Sequence, residues 1–147
     1  TMDYAALAGA LAAPNLAALS HADAAAVLSA QSVPTVRDVP TSEARAVLLA
    51  TGEWGGIVLA ARATPSADMP AALVALCITV VDTLRETETL EMTKPAYWAA
   101  VQQMLGGLRQ AGLISEATHA ALLALRDVAR PVWGLVTEHD VAAARKR

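Results

Sequence analysis

Short alanine- and leucine-rich runs, each opened by a Ser or Thr with an acidic residue close behind, constrain this chain more than any other feature. "SHADAAAVLSA" places Ser20 at an N-cap with Asp23 three residues on, "SEATHAALLAL" starts at Ser115, and "TEHDVAAAR" pairs Thr137 with Asp140. An N-cap hydroxyl accepts from an otherwise orphaned backbone N–H, and an acid in the first turn returns the bond or complements the helix dipole. The recurrence of such signals predicts a mainly α fold, a compact multi-helix bundle.

Read along the chain, Asp3 to Ala12 is a short helix stopped by Pro14. "QSVPTVRDVP" then breaks the pattern with two prolines and β-branched residues, so residues 33–40 read as an extended arm or short β-ribbon. Thr41 or Ser42 caps the next helix, with Glu43 in its first turn, and the helix should run to about Ala50. Thr51-Gly52 and Gly55-Gly56 weaken the helix beyond that point, Trp54 packs inward between them, and Pro65 ends the element. Residues 69–87 are long enough for a helix; Ile78, Thr79, Val80 and Val81 leave a buried strand open, and length favours the helix. Thr93 reads as the next cap, with Pro95 in the first turn and Met92 and Tyr97 as a hydrophobic staple. Lys94–Ala111 and Glu116–Asp127, joined through Gly112, should form a helical hairpin. No repeat or low-complexity linker intervenes, so residues 1–147 read as a single helical domain. Its expected core draws on Leu48, Leu49, Trp54, Ile57, Leu73, Leu76, Ile78, Val101, Leu105, Leu108, Leu122 and Leu125.

Charged residues make up 17% of the chain and hydrophobic ones 55%, leaving little polar surface to cover a monomer. Because much of the apolar share is alanine, the surplus points to helix-on-helix or subunit packing, and the chain is expected to self-associate. A net charge of −3 argues against nucleic acid as the main partner. The longest apolar run, Met69 to Val81, is too short for a membrane span and contains Pro70. "TMDYAALAGALAAP" lacks the basic leader of a signal peptide, which predicts an intracellular protein; Thr1 reads as a cloning remnant or the residue left after removal of an initiator Met.

Chemistry-bearing residues are present singly. His139-Asp140 is a pair used by metal-dependent hydrolases, but adjacent helical residues diverge by about 100°, and the flanking pattern accounts for both. Asp140 completes a capping box with Thr137, Val136 and Val141 form its staple, and Arg145, Lys146 and Arg147 complement the helix C-terminus. His21 and His119 sit beside caps as well, and whether the three histidines converge is open at this level. Cys77, the only cysteine, reads as a small buried hydrophobe. Gly55-Gly56 and Gly106-Gly107 lack the strand and Lys-Ser/Thr context of phosphate loops. No catalytic residue, metal ligand or cofactor site is therefore expected. The candidate contact residues are Val33, Val36 and Val39 on the arm and Glu86, Glu88 and Glu91 in the acidic stretch Asp82–Glu91.

Three stretches carry a resemblance: "DYAALAGALAAPNLAALSHADAAAVLSA", "VPTVRDVPTSEARAVLLATGEW" and "GLISEATHAALLALRDVARPVWGLVTEHDVAAAR". Together they resemble small alanine-rich proteins encoded by tailed bacteriophages and prophages of high-GC bacteria, whose last segment reads Val-Thr-x-x-Asp-Val-Ala-x-Ala-Arg, matched by Val136 to Arg145. The resemblance implies a phage setting and carries over no functional residue. A structural or assembly protein of the tail, capsid or connector region is expected, located in the virion or the host cytoplasm, with itself and other phage or host proteins as partners. The alternative is an accessory protein that sequesters a host factor, and a small enzyme ranks third.

Overall fold

The computed structural model describes residues 2–147; Thr1 lies outside the described residues. The fold is mainly α, about 62% helical. In chain order the elements are α1 (Tyr4–Leu11), α2 (Pro14–Ala17), α3 (His21–Ala30), β1 (Ser32–Val36), β2 (Val39–Pro40), α4 (Thr41–Thr51), α5 (Glu53–Ala61), α6 (Ala71–Glu86), β3 (Thr89–Leu90), α7 (Pro95–Gln110), α8 (Glu116–Ala124), β4 (Asp127–Pro131) and α9 (Glu138–Arg145). β1 pairs with β4, and β2 pairs antiparallel with β3.

The chain forms two compact units: residues 2–35 with 129–147, and residues 36–128. In the first, α9 packs on α1 and α3. Leu7, Leu11, Leu16, Leu28, Val136 and Val141 are buried there, with Ala24, Ala25 and Ala144 allowing close helix approach. This core is absent from the sequence expectation. Its leucines are separated by exposed alanines that blur the apolar stripe.

The second unit packs α4 to α8, with β2 and β3, around Val39, Leu48, Ile57, Cys77, Leu108 and Leu122. Residues 71–86 are helix throughout, so length prevails over the β-branched run. Gly52, at φ +77°, ends α4 in the left-handed conformation, and α4 and α5 meet at 104°. Gly112, at φ +76°, closes α7: its N–H bonds the Arg109 carbonyl while Leu113 N–H returns to Leu108, the pairing of a Schellman end. No single helix among the described residues is long and apolar enough to cross a membrane.

Several local expectations are corrected. Leu49 is 62% exposed and Ile78 43%, so neither is core. Thr41 does not cap α4: it is the first helical residue, and its hydroxyl donates to the Thr87 and Glu88 carbonyls. Thr93 does not cap α7 either, because its hydroxyl donates to Asp38. α8 stops at Ala124, and Asp127 begins a strand instead of ending a helix.

Candidate functional site

The end of the arm and the acidic stretch, proposed separately from sequence, meet in the second unit. Val39 faces Leu90 and Pro40 faces Thr89 in the short β2–β3 ladder. Thr41 N–H bonds the Glu88 carbonyl at 3.0 Å, and its hydroxyl reaches the Thr87 carbonyl at 2.6 Å. Asp38 accepts from the Thr93 hydroxyl at 2.7 Å and its amide at 3.0 Å, which together hold its carboxyl below the usual range. Glu86 at the end of α6, and Glu88 and Glu91 on either side of β3, stand as exposed residues beside these bonds. Glu91 pairs with Lys94 at 3.0 Å. Val39 itself is fully buried, so its place on a contact surface is withdrawn: the β2–β3 pairing turns it into the core.

Val33 and Val36 are each 38% exposed. Side chains alternate along a strand, so these two, three positions apart, lie on opposite faces of β1 and do not form one apolar patch. One backbone edge of β1 is also taken up by its pairing with β4. Gln31 accepts from Val132 N–H and Arg126 accepts from Arg37 N–H. Ladder alternation then turns Pro34 and Pro131 to the outward edges, where a missing N–H blunts strand addition.

The His-Asp pair resolves as a cap. Asp140 N–H bonds Thr137 Oγ1 at 3.1 Å, and the Asp140 carboxylate accepts from Thr137 N–H at 3.0 Å. The Thr137 amide, then its hydroxyl, which donates to the same carboxylate at 2.8 Å, and then the Tyr4 hydroxyl hold the Asp140 carboxyl below its ordinary range. His139 is exposed, while His21 Nδ1 meets Arg145 Nη1 at 2.8 Å. His119 lies half-buried on α8 in the other unit. Among the described residues no group of three or more His, Cys, Asp or Glu side chains is placed to hold a metal ion. Burial pushes the Cys77 thiol up, away from the thiolate.

Two arrangements escaped the sequence reading. Glu53, in the first turn of α5, accepts from Ser115 N–H at 2.6 Å and from the buried Thr118 hydroxyl at the start of α8. Desolvation pushes this carboxyl up, but the Thr118 and Thr51 hydroxyls and the Ser115 amide outweigh it and hold it low. In the first unit, Arg145 donates to the Leu16 carbonyl at 3.0 Å as well as meeting His21. Sequence assigned Arg145 only to its own helix end; its tertiary acceptors leave no local signal.

The core of the second unit holds an apolar cavity of about 60 Å³, lined among others by Leu48, Met92, Tyr97, Met104 and Leu108. That is well below the roughly 300–1,000 Å³ of ordinary ligand pockets. Comparison of the chain with protein-family models, curated proteins and solved structures gave no match.

Proposed function

We propose that this chain is a phage-encoded structural or assembly protein of the tail, capsid or connector region, working through protein contacts rather than catalysis. The observation that carries the reading is the loop between β4 and α9. Leu135 there is 81% exposed and Val132 49%, with Trp133 between them tied to Gln31 Oε1 through its indole N–H at 3.1 Å. Apolar side chains held out to water on a short anchored loop are what an interface uses. Exposed Leu59 and Leu49 on α5 and α4 add to the same tendency. The resemblance of the three sequence stretches to small phage proteins supplies the setting. Affinity capture of the tagged chain from infected cells tests the reading: co-purification of virion proteins, lost on Leu135→Asp, is expected. Recovery of virion proteins undiminished by that change would remove the loop as the contact.

A second reading, a phage accessory protein that sequesters a host factor, is favoured by the acidic turn carrying Glu86, Glu88 and Glu91. Pull-down from uninfected host lysate that is abolished by charge reversal at these three positions would favour this reading over the first.

A further inference from the structure

Net charge is unevenly divided between the two units: one is acidic and the other is neutral overall, with most of its cations gathered at one helix end. The unit of residues 36–128 carries seven Lys and Arg against ten Asp and Glu, while residues 1–35 with 129–147 carry four of each. In the latter, three of the four cations, Arg145, Lys146 and Arg147, are consecutive at the end of α9. Arg145 and Arg147 flank an open cleft of about 450 Å³ walled by Ala8, Leu11 and Ala17. Neither has a carboxylate partner within ion-pair distance among the described residues. Arg145 is half-buried, with its guanidinium donating to the Leu16 carbonyl and meeting the His21 ring. Arg147 lies over the Tyr4 ring at 5.6 Å. A hydrogen-bonded Arg145 and an exposed Arg147 on a cleft with apolar walls suit a carboxylate-bearing ridge, and arginine recognises carboxylate geometry well.

We infer that the Arg145–Arg147 cleft of one copy receives the acidic turn at Glu86 and Glu88 of a second copy, giving a head-to-tail contact. The same chain supplies the complementary surface: Glu86, which ends α6, and Glu88, whose carbonyl is held by Thr41, are exposed and lie in the unit that carries all of the net charge. Such a contact joins two different surfaces, so repetition closes a ring or extends a filament instead of stopping at a two-fold dimer. This inference rests on the reading that the protein works through protein contacts and names one of those contacts. Because exposed charges are screened within about 10 Å at 0.1 M salt, the contact should weaken as ionic strength rises.

Sedimentation velocity on the full chain tests it with reciprocal charge reversals. Wild-type protein should self-associate in a concentration-dependent manner at low salt and dissociate at high salt. Arg147→Glu alone, or Glu86→Lys with Glu88→Lys, should weaken association at least tenfold. Mixing the two variants should restore it, because each retains the surface the other has lost, an outcome that misfolding of either variant cannot produce. A wild-type monomer at all concentrations and salts, association indifferent to both reversals, or a mixture that stays monomeric would overturn the head-to-tail contact. Each of these outcomes leaves the wider assembly reading to be judged separately by its presence in virions.

Discussion

The Tyr4 hydroxyl donates to Asp140 Oδ1 at 3.0 Å, linking α1 to α9 through the carboxylate that also completes the α9 capping box. One side chain therefore serves local helix initiation and tertiary docking. Its carboxyl is lowered by the Thr137 amide, then the Thr137 hydroxyl and the Tyr4 hydroxyl. A folded pKa below the unfolded value gives stabilisation that is complete above the unfolded carboxylate range and lost as pH falls through the folded value. Asp140→Asn should thus be less stable than wild type near neutral pH, and the gap should close below about pH 4. Denaturant melts across pH check this, and a gap independent of pH would contradict it. Thr137→Ala, which removes the capping hydroxyl, should cost about 1 kcal/mol.

Glu53 should matter more to stability than its half-exposed position suggests. Its removal leaves the Ser115 amide without this acceptor and strips the buried Thr118 hydroxyl of its carboxylate partner. Glu53→Ala is expected to cost on the order of 1–3 kcal/mol in chemical denaturation, the penalty for an unsatisfied buried group. Because Thr118 has already lost that partner in the Glu53→Ala background, a further Thr118→Val change there should cost less than it does in wild type.

Glycines on either side of the α4–α5 joint should respond in opposite directions. Gly52 sits at φ +77°, so Gly52→Ala forces a side chain into the left-handed region and should destabilise by about 1–2 kcal/mol. Gly55 and Gly56 are helical, exposed and free of neighbours within 4 Å of an added Cβ. Ala at either position should raise stability by about 0.5–1 kcal/mol. Thermal melts of the three variants distinguish these signs.

Val36 and Val39 were grouped by sequence and are separated by the fold. Val39→Asp places a charge in a fully buried position opposite Leu90 and should prevent folding of the second unit or cost several kcal/mol. Val36→Asp, on an exposed strand face, should stay within about 0.5 kcal/mol of wild type. Circular dichroism and denaturant midpoints of both variants test the assignment.

What was legible in the sequence was local. Ser20, Ser115 and Thr137 cap the helices they were assigned to, because each cap bond spans only three residues. Pro34 and Pro40 marked the extended segment at residues 33–40 for a similar reason: they restrict their own neighbours. Thr41 and Thr93 look identical to caps in one dimension, yet their hydroxyls go to Thr87 and Asp38, 46 and 55 residues away. β4 was missed because its pairing partner, β1, lies almost a hundred residues earlier and the strand itself has no alternating pattern. Leu49 and Ile78 failed as core residues since their immediate neighbours Leu48 and Cys77 face inward and adjacent helical positions diverge. Of the candidate contact residues, the three glutamates are exposed as a contact role requires, whereas Val39 was lost to the β2–β3 ladder. The basic cleft left no trace, because its walls come from α1, α2 and α9.

The proposal that this is a phage-encoded, virion-associated protein acting through contacts is tested most directly by quantitative mass spectrometry of purified phage particles from cells that produce the chain. The account predicts peptides of the chain at a fixed copy number relative to the capsid and tail proteins, retained through gradient purification. Complete absence from particles that contain every other structural component, with the chain abundant in the infected-cell lysate, would contradict it.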